Sequence, residues 1–191
     1  MTLLFAFLNS IAPMSKELQD YLEKLLKPIK FKKNEITLRP GQICKMICFL
    51  ESGVVRQYIL SGSEKKVTWI HISGAIFISI ESFYFQTPTD EFIQATMPCN
   101  GLYITYEELQ TTLELFPEFN KHYRAIGNKY QAFQDKFRQM LAELDPIDRI
   151  KWLQKNHPEV CARAPINSIW SYLNMTRNTY YDCMDKLAGK K

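Results

Sequence analysis

The residues best suited to molecular recognition lie near the C-terminus, where Thr176 is followed by Arg177, Asn178 and Thr179. Threonine often caps a helix N-terminus by accepting a hydrogen bond from a backbone N–H. A helix that begins after Thr176 would point the polar groups of its first turn outward. The sequence therefore predicts a polar, exposed helix start at this place.

The same part of the chain is basic. Residues 146–191 contain eight Lys plus Arg against four Asp plus Glu, whereas residues 1–145 contain 16 of each. The excess positive charge is expected if this segment contacts a polyanion. A solubilising tail is the alternative explanation.

Two short helical patterns position these residues. The apolar spacing predicts helices over residues 166–173 and 177–187, separated by Asn174, Met175 and Thr176. Two helices joined by a three-residue turn form the helix-turn-helix arrangement. A plain helical hairpin with a polar surface is the alternative.

The chain lacks the patterns of common catalytic and metal sites. It has no paired catalytic carboxylates, nucleophile elbow or phosphate loop, and its three histidines form no HxH, HExxH or cupin-type set. The five cysteines are scattered and odd in number, without a secretion signal, which favours reduced thiols. We therefore expect no enzyme activity, metal or cofactor.

The composition is that of a globular protein. The 191 residues, 46% of them hydrophobic and 13% aromatic, suffice for one large domain or a medium and a small one. The N-terminal apolar run at residues 3–8 is too short to span a bilayer, and no signal-peptide pattern surrounds it. We expect a cytoplasmic protein.

A long helix is predicted over residues 118–144. Its apolar residues alternate at intervals of three and four, the heptad spacing of a coiled-coil seam, at Tyr123, Ile126, Tyr130, Phe133, Phe137, Met140 and Leu144. We call these seven residues the aromatic stripe. Its regularity favours a two-fold dimer in which the helix pairs with its copy. The alternative is that the stripe docks on the chain's own core.

Short β-rich runs precede this helix, and glycines punctuate them at intervals of 12, 9 and 12 residues. This spacing favours an antiparallel sandwich, β-roll or jelly roll over βαβ units. The eight runs are at residues 29–33, 35–38, 43–50, 54–60, 66–72, 75–79, 92–97 and 102–105.

Helical patterns flank the strands. Residues 1–28 predict two short helices broken at Pro13, and residues 106–115 predict one that Pro117 ends. Asp145-Pro146 is expected to break the chain and to mark a domain boundary. We expect an α+β chain with N-terminal helices and a β-roll sensor domain over 1–117, a dimerisation helix over 118–144 and a helix-turn-helix domain over 145–191.

This order of elements, together with several local motifs, resembles the Crp/Fnr family of dimeric transcription regulators, which has a cyclic-nucleotide-binding-like β-roll. The resemblance covers most of the chain and implies double-stranded DNA as a partner. Since the sequence ends at Lys191, we expect a short form without a β-wing. The matching motifs are FKKNEI at 31–36 with Pro40-Gly41, FLESGVVR at 49–56, Pro117, and LNMTRNT at 173–179.

The resemblance implies a ligand site between the β-roll and the long helix. Cyclic-nucleotide members place a Gly-Glu pair and an Arg-Ser pair around the ribose and phosphate, and these pairs fall here on Ile78-Ser79 and Thr89-Asp90. Without the arginine a buried phosphate has no bidentate partner, and Asp90 would repel it. We therefore expect no response to cyclic nucleotides.

An apolar or aromatic pocket for an unknown small-molecule effector is expected at this place, lined also by Ile80, Tyr84 and Phe85. The alternative is that these rings simply fill the roll. The candidate ligand-binding residues are Ile78, Ser79, Phe83, Thr89, Asp90, Tyr123 and Tyr130.

The resemblance also implies which residues contact DNA. Arg177, Asn178 and Thr179 align with the family's base-reading and phosphate-contacting turn, where Arg can pair with guanine and Asn with adenine. The candidate DNA-binding residues are Thr176, Arg177, Asn178, Thr179, Tyr181 and Lys186, with Lys190 and Lys191 steering towards phosphate.

Three residues depart from the family pattern. Trp170 replaces a small residue and must find more room between the helices, Asn174 replaces the turn glycine, and Asp182 replaces a recognition arginine. Asn tolerates the left-handed turn conformation. The favoured interpretation is a homodimeric DNA-binding regulator. The alternative is a ligand-sensing or interaction protein on the same scaffold that has lost DNA binding, as Trp170 and Asp182 suggest.

Overall fold

A computed structural model describes residues 2–189, which form nine helices and eight strands. The strands build a β-roll between helical segments, so the expected α+β class with an antiparallel roll is confirmed. The helices are α1 Thr2–Ile11, α2 Lys16–Leu25, α3 Ile80–Phe85, α4 Tyr106–Leu115, α5 Phe119–Glu143, α6 Pro146–Asn156, α7 Pro158–Arg163, α8 Ile166–Tyr172 and α9 Arg177–Leu187.

The strands form two four-stranded antiparallel sheets, ordered β1-β8-β3-β6 and β2-β7-β4-β5. Apolar side chains of both sheets meet in the roll interior, where Leu50 and Val55 are fully buried. The strands are β1 Lys27–Phe31, β2 Ile36–Leu38, β3 Met46–Ser52, β4 Val54–Ser61, β5 Glu64–Ile72, β6 Ile76–Phe77, β7 Phe92–Ala95 and β8 Cys99–Thr105.

Strand β5 lies at the edge of its sheet and contains a β-bulge. Gln57 of β4 pairs with Trp69, but the next residue, Tyr58, pairs with Val67, so Thr68 is an extra residue in the ladder. A bulge changes the direction of the strand and re-aims side chains. Here it lies between the C-terminal helices and a polar pocket, both described below.

The N-terminal helices pack on the roll and on the start of α5. The Ser15 hydroxyl accepts a hydrogen bond from the Leu18 N–H at 3.2 Å, which caps α2, and donates to the Glu118 carboxylate at 2.6 Å. The imidazole Nε2 of His122 lies 2.9 Å from the carbonyl oxygen of Ala12. These contacts attach the helical N-terminal segment to the long helix.

A second core joins the roll to the C-terminal helices. Val54 and Tyr58 of β4 pack in one buried cluster with Phe137 and Met140 of α5. The cluster continues into α6 to α9 through Ile150, Leu153, Val160, Ile169, Tyr172, Leu173, Tyr180 and Cys183. The C-terminal helices therefore share apolar contacts with the β-roll. No helix within residues 2–189 combines the length and apolar character needed to cross a membrane.

The aromatic stripe of α5 lies against its own chain. The Tyr130 ring stacks on Trp69 with centroids 4.3 Å apart, and Phe137 stacks on Tyr172 at 4.1 Å. Phe137 and Met140 are each only 4% exposed, which leaves them no surface for a second copy. This packing agrees with the alternative explanation of the heptad spacing, in which the stripe docks on the chain's own core. It arises because Trp69 and Tyr172 supply ring partners within the same chain.

Candidate effector pocket and nucleic-acid interface

A polar pocket of about 410 Å³ lies between the roll and α5. It is bordered by the β5 bulge, by α3 and the segment leading into it, and by the segment before β7. Ile78, Ser79, Thr89, Asp90 and Tyr130, five of the residues expected to bind a ligand, line it. The remaining lining residues are Gln57, Thr68, Trp69, Ile80, Glu81, Ser82, Pro88, Glu91, Gln131, Gln134 and Arg138.

Hydroxyl groups surround the carboxylate of Glu91 in this pocket. Ser79 Oγ donates to Glu91 Oε2 at 3.0 Å, and Thr68 Oγ1 donates to Oε1 at 3.3 Å. The hydroxyls of Ser79 and Thr89 lie 2.9 Å apart, and Thr89 Oγ1 also accepts from the Glu91 N–H at 3.0 Å. These bonds fix the orientation of the carboxylate.

The environment of Glu91 disfavours its charged form. Partial burial raises the pKa of the carboxyl above its ordinary value, the hydroxyls of Ser79 and Thr68 oppose this, and the negative charges of Asp90 and Glu81 raise the pKa further. The pocket is therefore an acidic environment at the position where cyclic-nucleotide proteins of this fold would hold a phosphate.

Two expected ligand-binding residues lie elsewhere. Phe83 is fully buried in the core, with its ring 5.4 Å from that of Tyr106, and it lines neither the polar pocket nor the apolar cavity described next. Its assignment to the ligand site is wrong, because the short helix α3 turns this ring into the roll. Phe85, in contrast, is 74% exposed. Tyr123 lines the apolar cavity instead of the polar pocket.

That apolar cavity, of about 280 Å³, lies between the N-terminal helices, the roll and α5. Tyr84 and Tyr123 line it with Gly127, and Ile78, Ile80, Tyr130 and Gln131 border both this cavity and the polar pocket. This cavity has aromatic walls, and the pocket beside it, which contains most of the residues expected to bind a ligand, is polar where the sequence predicted apolar or aromatic walls.

The polar pocket contains residues that the sequence did not single out, above all Glu91. Glu91 directly follows Asp90 and precedes a predicted strand. A charged residue just before a strand was therefore the sequence feature that could have indicated its role. Gln57 and Trp69 lie on β4 and β5, distant in sequence from the predicted ligand-site pairs at residues 78–79 and 89–90. Only the pairing of the strands brings them to the same pocket.

The C-terminal helices α8 and α9 form the expected helix-turn-helix. Asn174 adopts a left-handed conformation in the turn, with φ of 55°, which asparagine tolerates. The Thr176 hydroxyl accepts from the Thr179 N–H at 3.2 Å and thereby caps α9, as the sequence predicts. The helix starts where the sequence analysis places it.

The exposed surface of α9 carries most of the expected DNA-binding side chains. Arg177, Asn178, Tyr181 and Lys186 are exposed, and the Arg177 guanidinium lies 5.7 Å from the centre of the Tyr181 ring. Thr176 and Thr179 bond to each other through their hydroxyls at 2.8 Å, so their first role is to cap the helix. Lys190 and Lys191 lie outside the described residues.

Three departures from the family pattern have different consequences. Trp170 is half-buried and borders a cleft beside Lys65 and Thr176, so the indole finds its room at the rim of the helix pair. Asn174 fits its turn. Asp182 is exposed on α9, where it offsets the positive charge of the neighbouring side chains.

Serine side chains of α8 attach the helix-turn-helix to the roll. Ser171 Oγ accepts from the Val67 N–H at 2.9 Å and donates to the Lys65 carbonyl at 2.8 Å, which satisfies backbone groups of the edge strand β5. Arg56 donates to Ser168 Oγ at 3.0 Å and to Gln94 at 2.8 Å. The β-roll and the helix-turn-helix are therefore in direct contact.

Known proteins resemble this chain in structure. No protein-family model and no curated protein matches the sequence. The fold is similar to that of CLP, a c-di-GMP-responsive global regulator of Xanthomonas campestris, with a TM-score of 0.71, 16% identity and 92% of each chain covered. For FixK2 from Bradyrhizobium japonicum the TM-score is 0.72 at 14% identity, with 86% of this chain and 85% of that chain covered.

The Thermus thermophilus catabolite activator protein is also similar, with a TM-score of 0.58 at 14% identity and coverage of 94% of this chain and 86% of that one. Identities this low establish the fold and leave function to be argued from the residues. The resemblance inferred from the sequence is thus confirmed at the level of fold: the chain has the cyclic-nucleotide-binding-like fold of the Crp/Fnr regulators.

Proposed function

We propose that this protein is a DNA-binding transcription regulator of the Crp/Fnr type that acts as a homodimer and responds to an effector other than a cyclic nucleotide. The observation that carries the proposal is α9, a capped helix at the end of a helix-turn-helix whose Arg177 and Asn178 are exposed. A helix with this placement is the element that enters the major groove.

Arg177 and Asn178 supply the base-reading chemistry in this proposal. The guanidinium can donate two parallel hydrogen bonds to guanine, and the amide can pair with adenine. Tyr181 and Lys186 would contact the DNA backbone from the same exposed surface. Two recognition helices in a two-fold dimer would enter successive major grooves about 34 Å apart.

A phosphate-containing effector does not suit the polar pocket. CLP is described as c-di-GMP-responsive, but here Thr89 and Asp90 occupy the positions of the arginine and serine that bind phosphate in cyclic-nucleotide members. The partly buried Glu91 adds a further negative charge beside them. Negative charges on the wall of a pocket repel an anionic ligand.

For the proposed dimer, the face of α5 opposite the aromatic stripe is the available pairing surface. Its side chains are small or polar, which permits close approach of two helices. They recur at heptad spacing at Ala125, Asn128, Ala132, Asp135, Gln139 and Ala142, and all except the half-buried Ala125 are exposed.

Ala132→Glu tests this surface. Two glutamates facing each other across the two-fold axis would repel, so we expect wild type to elute as a dimer and Ala132→Glu as a monomer in size-exclusion chromatography with light scattering at micromolar concentration. Ala6→Glu, the same substitution at an exposed site of α1, should stay dimeric. A monomeric wild type would contradict the proposed assembly.

DNA binding is tested by gel shift against genomic fragments, followed by fluorescence anisotropy on a selected fragment. Arg177→Ala should weaken binding roughly tenfold, since a bidentate base contact contributes about 1–3 kcal/mol. Arg39→Ala changes an exposed arginine on the roll and should bind like wild type. Equal affinity of Arg177→Ala and wild type would remove Arg177 from base reading.

A sensor that has lost DNA binding is the second candidate, and the charges of α9 favour it. On the exposed surface of this helix Asp182 and Asp185 balance Arg177 and Lys186. Salt titration separates the candidates, because a DNA complex weakens steeply as ionic strength rises. If no fragment binds even at low salt, the sensor without DNA binding is the better description.

A further inference from the structure

We propose that the polar pocket binds an organic cation, a small molecule with an ammonium group that pairs with Glu91. The proposal rests on the proposed function, since it names the chemical class of effector for the sensor pocket. It follows from three properties of the pocket: the charge of its walls, the environment of Glu91, and the size and spacing of the lining groups.

The walls of the pocket carry an excess of negative charge. Glu81, Asp90 and Glu91 line it, against the single cation Arg138 at an exposed position of α5. Nearby charges within a partly enclosed pocket interact more strongly than they do in bulk water. The field in the pocket therefore attracts a cation and repels a phosphate.

Glu91 is a partly buried carboxylate whose contacts are hydroxyl groups. Within residues 2–189, the ion pairs found within 4.0 Å are Lys16–Asp20, Lys27–Glu108 and Lys151–Asp148, so Glu91 belongs to none of them. Buried charges in proteins are normally paired or bound to a ligand. The Ser79 and Thr68 hydroxyls hold the carboxylate in place, and each oxygen has a further lone pair for a donor from the ligand.

The size of the site favours an organic cation over a metal ion. Among the described residues no group of three His, Cys, Asp or Glu side chains is close enough to hold a metal. The pocket volume of about 410 Å³ is that of a small-molecule site. Gln131 and Gln134 offer amide groups, and the Tyr130 ring gives one wall an aromatic surface suited to the carbon skeleton of an amine.

Isothermal titration calorimetry on the full chain at low ionic strength tests the proposal. The probes are a homologous series of linear diamines, diols of the same chain lengths, and cyclic AMP. We expect at least one diamine to bind, with no heat from the diols or cyclic AMP. Failure of every diamine, or binding of the matching diol with equal affinity, would overturn the proposal.

The Glu91→Gln variant locates the binding group. Loss of a charge-assisted hydrogen bond should weaken diamine binding by roughly tenfold or more. Glu114→Gln, an exposed carboxylate of α4 that does not line the pocket, should bind like wild type. Unchanged affinity of Glu91→Gln would show that the amine binds elsewhere and would refute the assignment.

A measurement on wild type keeps the test independent of variant folding. Diamine affinity should fall as the pH is lowered through the raised pKa of Glu91, because a proton then competes with the ammonium. Glu81, Asp90, Tyr130 and Arg138 also face the pocket, and burial raises the pKa of Tyr130, so that its phenol stays neutral. Affinity independent of pH would contradict the proposal.

The experiments distinguish failure of the proposed regulator function from failure of the proposed cation site. Diamine binding without any DNA binding would leave the pocket assignment intact and remove the regulator function. DNA binding by a chain that binds no diamine would do the reverse.

Discussion

A partly buried carboxylate, Glu91, sets the electrostatic character of the polar pocket. The hydroxyls of Ser79 and Thr68 donate to its two carboxylate oxygens, so the pocket presents an acidic group bounded by hydroxyls. Desolvation of Glu91 without a counter-charge costs folding free energy. The unliganded protein is therefore destabilised at the site that we propose for the effector.

Glu91→Gln should stabilise the unliganded protein at neutral pH by about 1 kcal/mol, because a neutral amide avoids the cost of a desolvated charge. Since the folded-state pKa of Glu91 is raised, the penalty is fully present above that pKa, shrinks as the pH falls through it, and has vanished below the unfolded-state pKa. Urea denaturation should show a stabilisation at pH 7 that shrinks in acid. A variant less stable than wild type at neutral pH would show that the hydrogen bonds of the carboxylate outweigh its burial.

At the level of elements, α5 combines two surfaces with different roles. The aromatic stripe contacts the roll and the C-terminal helices, and the opposite face is exposed, small and polar. Gly127 lies between these contacts at the wall of the apolar cavity, and a Cβ added there would meet no atom within 4 Å. The glycine therefore leaves open space at the wall of the cavity.

Gly127→Ala should raise the free energy of unfolding by about 1 kcal/mol, since alanine loses less backbone entropy in a helix. The measurement is the midpoint of urea denaturation. Gly74→Ala is the matched control: its added Cβ also meets nothing within 4 Å, but the backbone has φ of +90°, so the same substitution should destabilise. A loss of stability in Gly127→Ala would contradict this prediction, because it would show that the space beside Gly127 does not accept a methyl group.

On the scale of the whole molecule, one bulge connects the polar pocket to the helix-turn-helix. Thr68, the extra residue of β5, donates to Glu91 in the pocket. Its neighbour Val67 donates to Ser171 of α8, 104 residues away in sequence. A ligand that changes the position of Glu91 would therefore act on a strand that also bonds to α8 of the helix-turn-helix.

Ser171→Ala should loosen this connection, because the Val67 N–H and the Lys65 carbonyl would lose their partner. An unpaired buried backbone group costs about 1–3 kcal/mol. Hydrogen exchange should show loss of protection at the Val67 amide and faster exchange in α8. Ser10→Ala, which removes an exposed hydroxyl bond within α1, is the control and should leave both unchanged. Full protection of Val67 in Ser171→Ala would mean that this contact does not hold the domains together.

The sequence by itself determined the order of most elements and the ends of some helices. Periodicity placed α4 and α9 at their observed bounds, and Thr176 caps α9 as its position predicted. The absence of a phosphate-binding arginine was also visible in the sequence. These features depend on residues within one or two turns of each other, so local patterns contain the necessary information.

Only the tertiary structure decided which surfaces those elements present. The aromatic stripe meets Trp69 and Tyr172, Phe83 turns into the roll, and Glu91 joins Thr68 and Ser79 in one pocket. Each of these arrangements depends on the pairing of distant strands or the docking of distant helices. A heptad pattern shows that a helix has an apolar stripe, but the partner of that stripe is set by packing between segments far apart in the chain.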